Sequence, residues 1–171
     1  MLYNKNPHLW NLRAVCLIAQ NKLEEAEQEL LKAKKELPHD ETTYMNIANL
    51  HMAKGEFQQC IDVLREIIDS IPDPVSQSLV DILTFRIYLC HIMLGQKKEA
   101  KNLVSHLTPL SDTPLYYYSQ AALHISRGNK TQARQDIQAA DTIYAKGHAT
   151  LPYLRAIQAS GIEKKFLQKT P

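Results

Sequence analysis

The sequence predicts an all-α fold, a right-handed solenoid of about four antiparallel helix pairs with a C-terminal capping helix, and three observations predict it. The first is a recurring corner. AQNKLEEA at 19–26, AKGEFQQC at 53–60, MLGQKKEA at 93–100 and SRGNKTQA at 126–133 each carry Asn or Gly third and a small residue last. The second is the period: the closing residues Ala26, Cys60, Ala100 and Ala133 are separated by 34, 40 and 33 residues, an interval that marks stacked helical units. The third is spacing, since apolar residues fall three and four apart and nowhere alternate over the length of a strand.

These observations place units at about 7–40, 41–74, 75–112 and 113–146 of a single array over 1–171, followed by a capping helix at about 149–167. In the second unit Tyr44, Ile47, Ala48, His51 and Met52 make one helical face before Gly55, and Phe57, Ile61, Leu64, Ile67 and Ile68 make another after it. The corner residue ends a helix in the left-handed conformation, open to Gly and tolerated by Asn21. The small residue after it lets two helix backbones approach. The 40-residue interval carries about six extra residues, placed at SIPDPVSQS, 70–78, where two prolines disfavour continuing a helix. A long helix over about 75–94 opens the third unit and is itself a candidate to fill the concave side. In the last segment Leu151, Leu154, Ala156 and Ile157 form one face, and Arg155, Gln158, Lys164 and Lys165 the other. Such a polar-backed helix covers the apolar face that a stack leaves bare. The first unit has no cap, so its Trp10 and Leu12 face offers a route to a homo-oligomer.

With 171 residues, 44% hydrophobic, 22% charged and a net charge of +2, one domain or one array is expected. The longest unbroken apolar run, Ala14 to Ala19, follows Arg13 and is far short of the ~20 residues of a membrane span. No signal peptide is evident, and the expected compartment is the cytoplasm. Met1 stands only a few residues before the first unit, which leaves open an excised piece that lacks a targeting segment.

The layout resembles the tetratricopeptide repeat family. Trp10, Ala14, Leu17, Leu23, Ala26, Leu30, Ala33 and Pro38 fit its signature in the first unit, and Tyr44, Ile47, Ala48, Gly55, Phe57, Cys60, Leu64, Ile67 and Pro72 in the second. The third keeps Gly95, Ala100 and Val104 but has Tyr88 where the family has a small residue. The fourth keeps Tyr117, Ala121, Gly128, Ala133, Ile137 and Ala140, with Ala145 at the usual closing proline.

Candidate chemistry is sparse. His51, His91 and His124 each stand four residues before a corner glycine, but zinc ligands lie about 2 Å from the metal while neighbouring helices are roughly 8–10 Å apart. The ladder therefore predicts packing, at a position where the family commonly has an aromatic. Cys16, Cys60 and Cys90 are odd in number, lack CxxC spacing and read as small core thiols in a reducing setting. Cys90 and His91 are neighbours in sequence, so on a helix they point different ways. HExxH, GxGxxG and GxSxG patterns are absent. No enzyme activity, cofactor, metal or nucleic acid is expected.

The resemblance implies that the first helices of successive units line a concave groove for a partner peptide or helix. By position the lining is Asn11 and Val15, then Met45, Asn46, Asn49 and Met52, then Phe85, Arg86, Leu89 and Ile92, then Tyr118, Ala122 and Ile125. Asn49 and Arg86 match two parts of the carboxylate clamp of chaperone-binding members, while Val15 and Ile82 stand at places that should be polar. The expected function is a non-catalytic protein–protein interaction module. The alternative is a dedicated chaperone for secreted or assembling subunits.

Overall fold

Each helix pair is set by its corner. In the computed structural model, which describes residues 6–70, 76–144 and 149–167, Asn21, Gly55, Gly95 and Gly128 lie at φ of 58°, 76°, 76° and 78°. A Cβ is penalised in this region, so Gly and Asn are the residues that enter it routinely. Two crossed backbone bonds close each corner. The Gly55 amide donates to the Met52 carbonyl at 3.2 Å, and the Glu56 amide to the His51 carbonyl at 2.9 Å. The same pair recurs as Asn21 to Ile18 with Lys22 to Leu17, Gly95 to Ile92 with Gln96 to His91, and Gly128 to Ile125 with Asn129 to His124. This Schellman arrangement satisfies carbonyls that a helix end otherwise orphans.

The described residues form α1 (Pro7–Ala19), α2 (Leu23–Glu36), α3 (Glu41–Lys54), α4 (Phe57–Ser70), α5 (Gln77–Leu94), α6 (Lys97–Val104), α7 (Leu115–Ser126), α8 (Lys130–Ile143), α9 (Leu151–Ser160) and α10 (Ile162–Leu167). No strand occurs among them. Helix starts follow capping chemistry. The Asn6 side chain accepts the His8 amide before Pro7-led α1, and Asp40 accepts the Thr43 amide at 2.8 Å before α3.

The chain divides into two compact units, Met1–Ile71 with α1–α4 and Pro72–Pro171 with α5–α10. In the first, α1 pairs with α2 and α3 with α4, and α3 also lies beside α1 and α2. Ala14, Ala26, Leu30 and Leu50 form its core with Leu17, Ile18, Leu23 and Ile47 packed around them. Ala14, Ala26 and Cys60 are fully enclosed. Small side chains at these points are what let the paired backbones close up.

In the second unit α5 pairs with α6, α7 pairs with α8, and α5 lies beside α7. Helix α5 has 18 residues where α3 has 14, so four of the six extra residues lengthen this helix. Residues 71–75 of the expected insertion lie outside the described residues, as do Pro72 and Ala145 of the repeat signature. Tyr88, the residue out of pattern in the third unit, turns toward α7 and donates its hydroxyl to the Ser119 carbonyl at 3.0 Å. By length and mean hydropathy of 1.3 α5 could cross a bilayer, yet nine of its residues, Asp81 and His91 included, are buried, as in the core helix of a folded unit.

The expected capping helix differs in three respects. It is broken at Gly161, whose φ of 67° ends α9 before α10 begins. It packs on α5 and α7, the first helices of two pairs, with α10 beside α7. Its inward face is Tyr153, Ala156, Ile157 and Ser160, leaving Leu151 exposed. Of the expected face, Ala156 and Ile157 point inward, while Leu151 does not and Tyr153, the aromatic that anchors the helix, takes its place.

Because Cys60 has no accessible surface, Cys60→Leu should destabilise by about 1–3 kcal/mol through overpacking, against less than about 0.5 kcal/mol for exposed Gln59→Ala. Urea unfolding midpoints check this, and equal midpoints for the two variants would contradict the α3–α4 register.

Candidate functional site

On the first-helix face of unit one, two of the expected groove residues prove to be internal struts. Asn11 Nδ2 donates to Thr43 Oγ1 at 2.8 Å and to Asp40 Oδ2 at 3.3 Å, and Asn46 Nδ2 donates to Asn11 Oδ1 at 3.3 Å. Thr43 Oγ1 in turn donates to Asp40 Oδ2 at 2.6 Å. Asn11, Thr43 and Asn46 are buried, so this relay ties α1 to the capped start of α3 where a lone polar group would be costly. Met52 is also buried. Asn11, Asn46 and Met52 are therefore withdrawn from the groove lining. What remains open on this face is Val15, 44% exposed, with Leu12 at 60% beside it, and the half-buried Met45 and Asn49.

In unit two the expected lining is almost wholly covered. Phe85, Leu89, Tyr118, Ala122 and Ile125 are buried, while Arg86 and Ile92 are half-buried. The reason is the tail. Tyr153 of α9 stacks on Tyr118 with ring centroids 5.0 Å apart and meets Phe85 at 5.2 Å; Phe85 also contacts Tyr118 at 6.1 Å and Tyr88 at 6.3 Å. Farther along, Lys165 Nζ of α10 donates to the Met93 carbonyl at 2.6 Å, placing a cation on the orphan carbonyls at the end of α5. The positions implied by the repeat pattern keep their helix face in this unit, but a segment outside the repeats lies on that face and covers them.

A cleft of about 400 Å³ borders the start of α9, lined by Gln77, Asp81, Thr113, Pro152 and Tyr153 among others. Asp81 accepts from Gln77 Nε2 at 2.8 Å and from the Thr113 hydroxyl, and Thr113 Oγ1 accepts the Leu115 amide at 3.2 Å. Burial disfavours phenolate and pushes Tyr88 and Tyr118 up to about 12. Tyr153 moves in the same direction for the same cause.

The histidine ladder has a structural role that its spacing could only hint at. His51, His91 and His124 supply the carbonyls that receive the crossed bond at three corners. Their imidazoles then reach over the turn, His51 Nδ1 to Glu56 Oε2 at 2.7 Å, His91 Nδ1 to Gln96 Oε1 at 2.5 Å and His124 Nδ1 to Asp136 Oδ2 at 2.7 Å. His51 and His91 thereby staple a first helix to the opening of its second, and His124 ties α7 to the second turn of α8. Among the described residues no three His, Cys, Asp or Glu side chains gather to hold a metal ion. Cys60 and Cys90 are buried and Cys16 is exposed.

Tyr153 and the Asp40–Thr43 pair have no place in the sequence-based lining, and Tyr88 enters there only as a departure from the repeat pattern. The i, i+3, i+4, i+7 spacing of Tyr153, Ala156, Ile157 and Ser160 was the available signal for the first of these.

A family model described as Iml2/Tetratricopeptide repeat protein 39 matches residues 8–169. No curated protein and no solved structure matches the chain.

Two outcomes follow from the aromatic cluster. Phe85→Ala should destabilise by about 3–5 kcal/mol, whereas Val15→Ala should change stability by less than about 0.5 kcal/mol; paired urea titrations decide whether Phe85 is core or free lining. The buried tyrosines favour the folded state while protonated, so their contribution is complete below pH 10.0 and is lost as pH rises toward about 12. In an alkaline titration, phenolate absorbance from this cluster should appear together with loss of helical circular dichroism. All eight tyrosines ionising while the helical signal stays intact would contradict the packing.

Proposed function

The chain belongs to the Iml2/Tetratricopeptide repeat protein 39 family, and from that premise we propose that it is a non-catalytic module that holds a segment of another protein on the first-helix face of unit one. Helical-repeat families related to the tetratricopeptide repeat are generally protein-interaction modules. The observation that carries the reading is the open apolar stripe on α1, Leu12 at 60% and Val15 at 44% exposure, beside Met45 and Asn49 on the adjacent α3. Stacking buries the opposite side of both helices, and a stripe left on the outer side is an invitation to a partner's apolar side chains.

The polar relay supports the same reading. Asn11, Thr43 and Asn46 hold α1 and α3 in fixed register, so the stripe is presented on a preorganised surface and a partner loses little in ordering it. Burying an exposed Leu or Val on such a surface contributes about 1 kcal/mol or more, enough for several such contacts to make a specific complex.

The test uses the full chain as bait in a source lysate, compared with Val15→Asp and Met45→Asp. Both variants should keep the unfolding midpoint of the parent, and the affinity of the recovered partner should fall at least about tenfold, or 1.4 kcal/mol. Undiminished binding to both folded variants would remove this face from the function. Sedimentation of the purified chain reports whether the partner is a second copy, since self-association through the first unit should then vanish in Val15→Asp.

A further inference from the structure

We propose that α9–α10 is a resident ligand of the α5/α7 face: the second unit takes an amphipathic helix anchored by an aromatic side chain from a partner, and does so by releasing its own. The proposal rests on the reading of the chain as an interaction module but concerns a different surface. Helices α5 and α7 are the first helices of the third and fourth pairs, and their Phe85, Leu89, Tyr118 and Ala122 stand where the first unit shows its open stripe. Here that face is occupied. Tyr153, Ala156, Ile157 and Ser160 are the buried residues of α9, and their spacing puts them on one side of a helix. An amphipathic helix laid in a groove by an aromatic anchor and small neighbours is a standard mode of peptide recognition, made here within one chain.

The occupant depends on the groove more than the groove depends on it. Helix α9 has ten residues and α10 six, parted by Gly161, and pieces this short are not helical by themselves. Tertiary contacts alone keep them there: the Tyr153 ring on Tyr118 and Phe85, and the Lys165 bond to Met93 at the far end. Between α9 and the starts of α5 and α7 the seam is not sealed, because the 400 Å³ cleft runs beside Pro152 and Tyr153. An incoming helix can gain a foothold at this edge before the resident one has left.

The chemistry of the guest is read from the host. The anchor site is made by the Tyr118 and Phe85 rings, whose centroids lie 5.0 and 5.2 Å from that of Tyr153, so it takes an aromatic side chain in preference to an aliphatic one. Alanine and serine at the third and seventh following positions allow close approach to α5 and α7.

The experiment titrates a labelled peptide of residues 149–167 into the full chain. The parent should bind it weakly, since a segment docked about 99% of the time lowers apparent affinity about a hundredfold. Tyr153→Ala in the chain should raise peptide affinity at least tenfold, and Lys165→Gln, which removes one bond at the protein surface, severalfold. A peptide carrying Tyr153→Phe should bind about as well as the native peptide, and one carrying Tyr153→Ala should not bind. Hydrogen exchange adds a readout of the segment itself: bound peptide should strip protection from α9–α10 in the chain while α5 and α7 stay protected. If Tyr153→Ala loses its cooperative melt, Lys165→Gln carries the comparison. No gain in affinity in any folded variant, or exchange that quickens equally in α5, α7 and α9, would overturn the proposal and make the segment a fixed part of the core. Val15→Asp serves as the control that separates the two readings. It should leave peptide affinity unchanged, so failure of the peptide experiment leaves the first-unit surface standing, and failure at Val15 leaves the resident segment standing.

Discussion

The structure depends on a short turn closed by two crossed hydrogen bonds around one residue at positive φ. The Gly55 corner shows the consequence most fully: the carbonyls of His51 and Met52 are satisfied, the chain reverses, and α4 is delivered against α3 at a fixed point. Cys60 then arrives where the helices touch and must be small. His51 strengthens the same turn from its side chain by reaching Glu56. One residue thus contributes a backbone acceptor and an imidazole to the same few ångströms of chain. The repetition of this geometry at Gly95, and of all but the last partner at Gly128, explains why a histidine recurs there without any metal chemistry being needed.

Between pairs the two units solve the same problem with different materials. Unit one joins its first helices through amides, a hydroxyl and a carboxylate, with Asn11 at the centre of a relay in which each buried group has a partner. Unit two joins its first helices through rings, Phe85, Tyr88 and Tyr118, and adds Tyr153 from outside the repeat pattern. A polar relay is directional and demands satisfaction. An aromatic cluster gains by area and stacking and tolerates a further ring. The ring cluster of the second unit includes a residue of its tail, while Val15 and Leu12 of the first unit lie in solvent.

The family assignment and the packing meet at this point. Membership of a family related to the tetratricopeptide repeat accounts for the paired helices, and the packing of each unit accounts for which apolar side chains stay in solvent. The candidate enzyme-like features dissolve into structure: Cys90 is enclosed, and His91 is engaged with Gln96 at the corner. Surfaces are where the sequence was least explicit.

What the sequence determined by itself was local. The corner residues, the period and the three-and-four spacing of apolar positions each express a rule that acts within a few residues, so the helices, their pairing and the small contact residues Ala26, Cys60, Ala100 and Ala133 were legible without coordinates. The assignment of Phe85, Leu89, Tyr118, Ala122 and Ile125 to one face was legible too. Their burial was not, because it depends on α9, more than twenty residues along the chain from the nearest of them, and on Tyr153 lying inward against Phe85 and Tyr118. Nor could spacing show that Asn11 and Asn46 satisfy one another across α1 and α3, since a side chain's partner is chosen by distance in space. Periodicity assigns a residue to a side of its own helix; only the tertiary structure decides what lies against that side, because burial is a property of neighbours that the chain brings together from far apart.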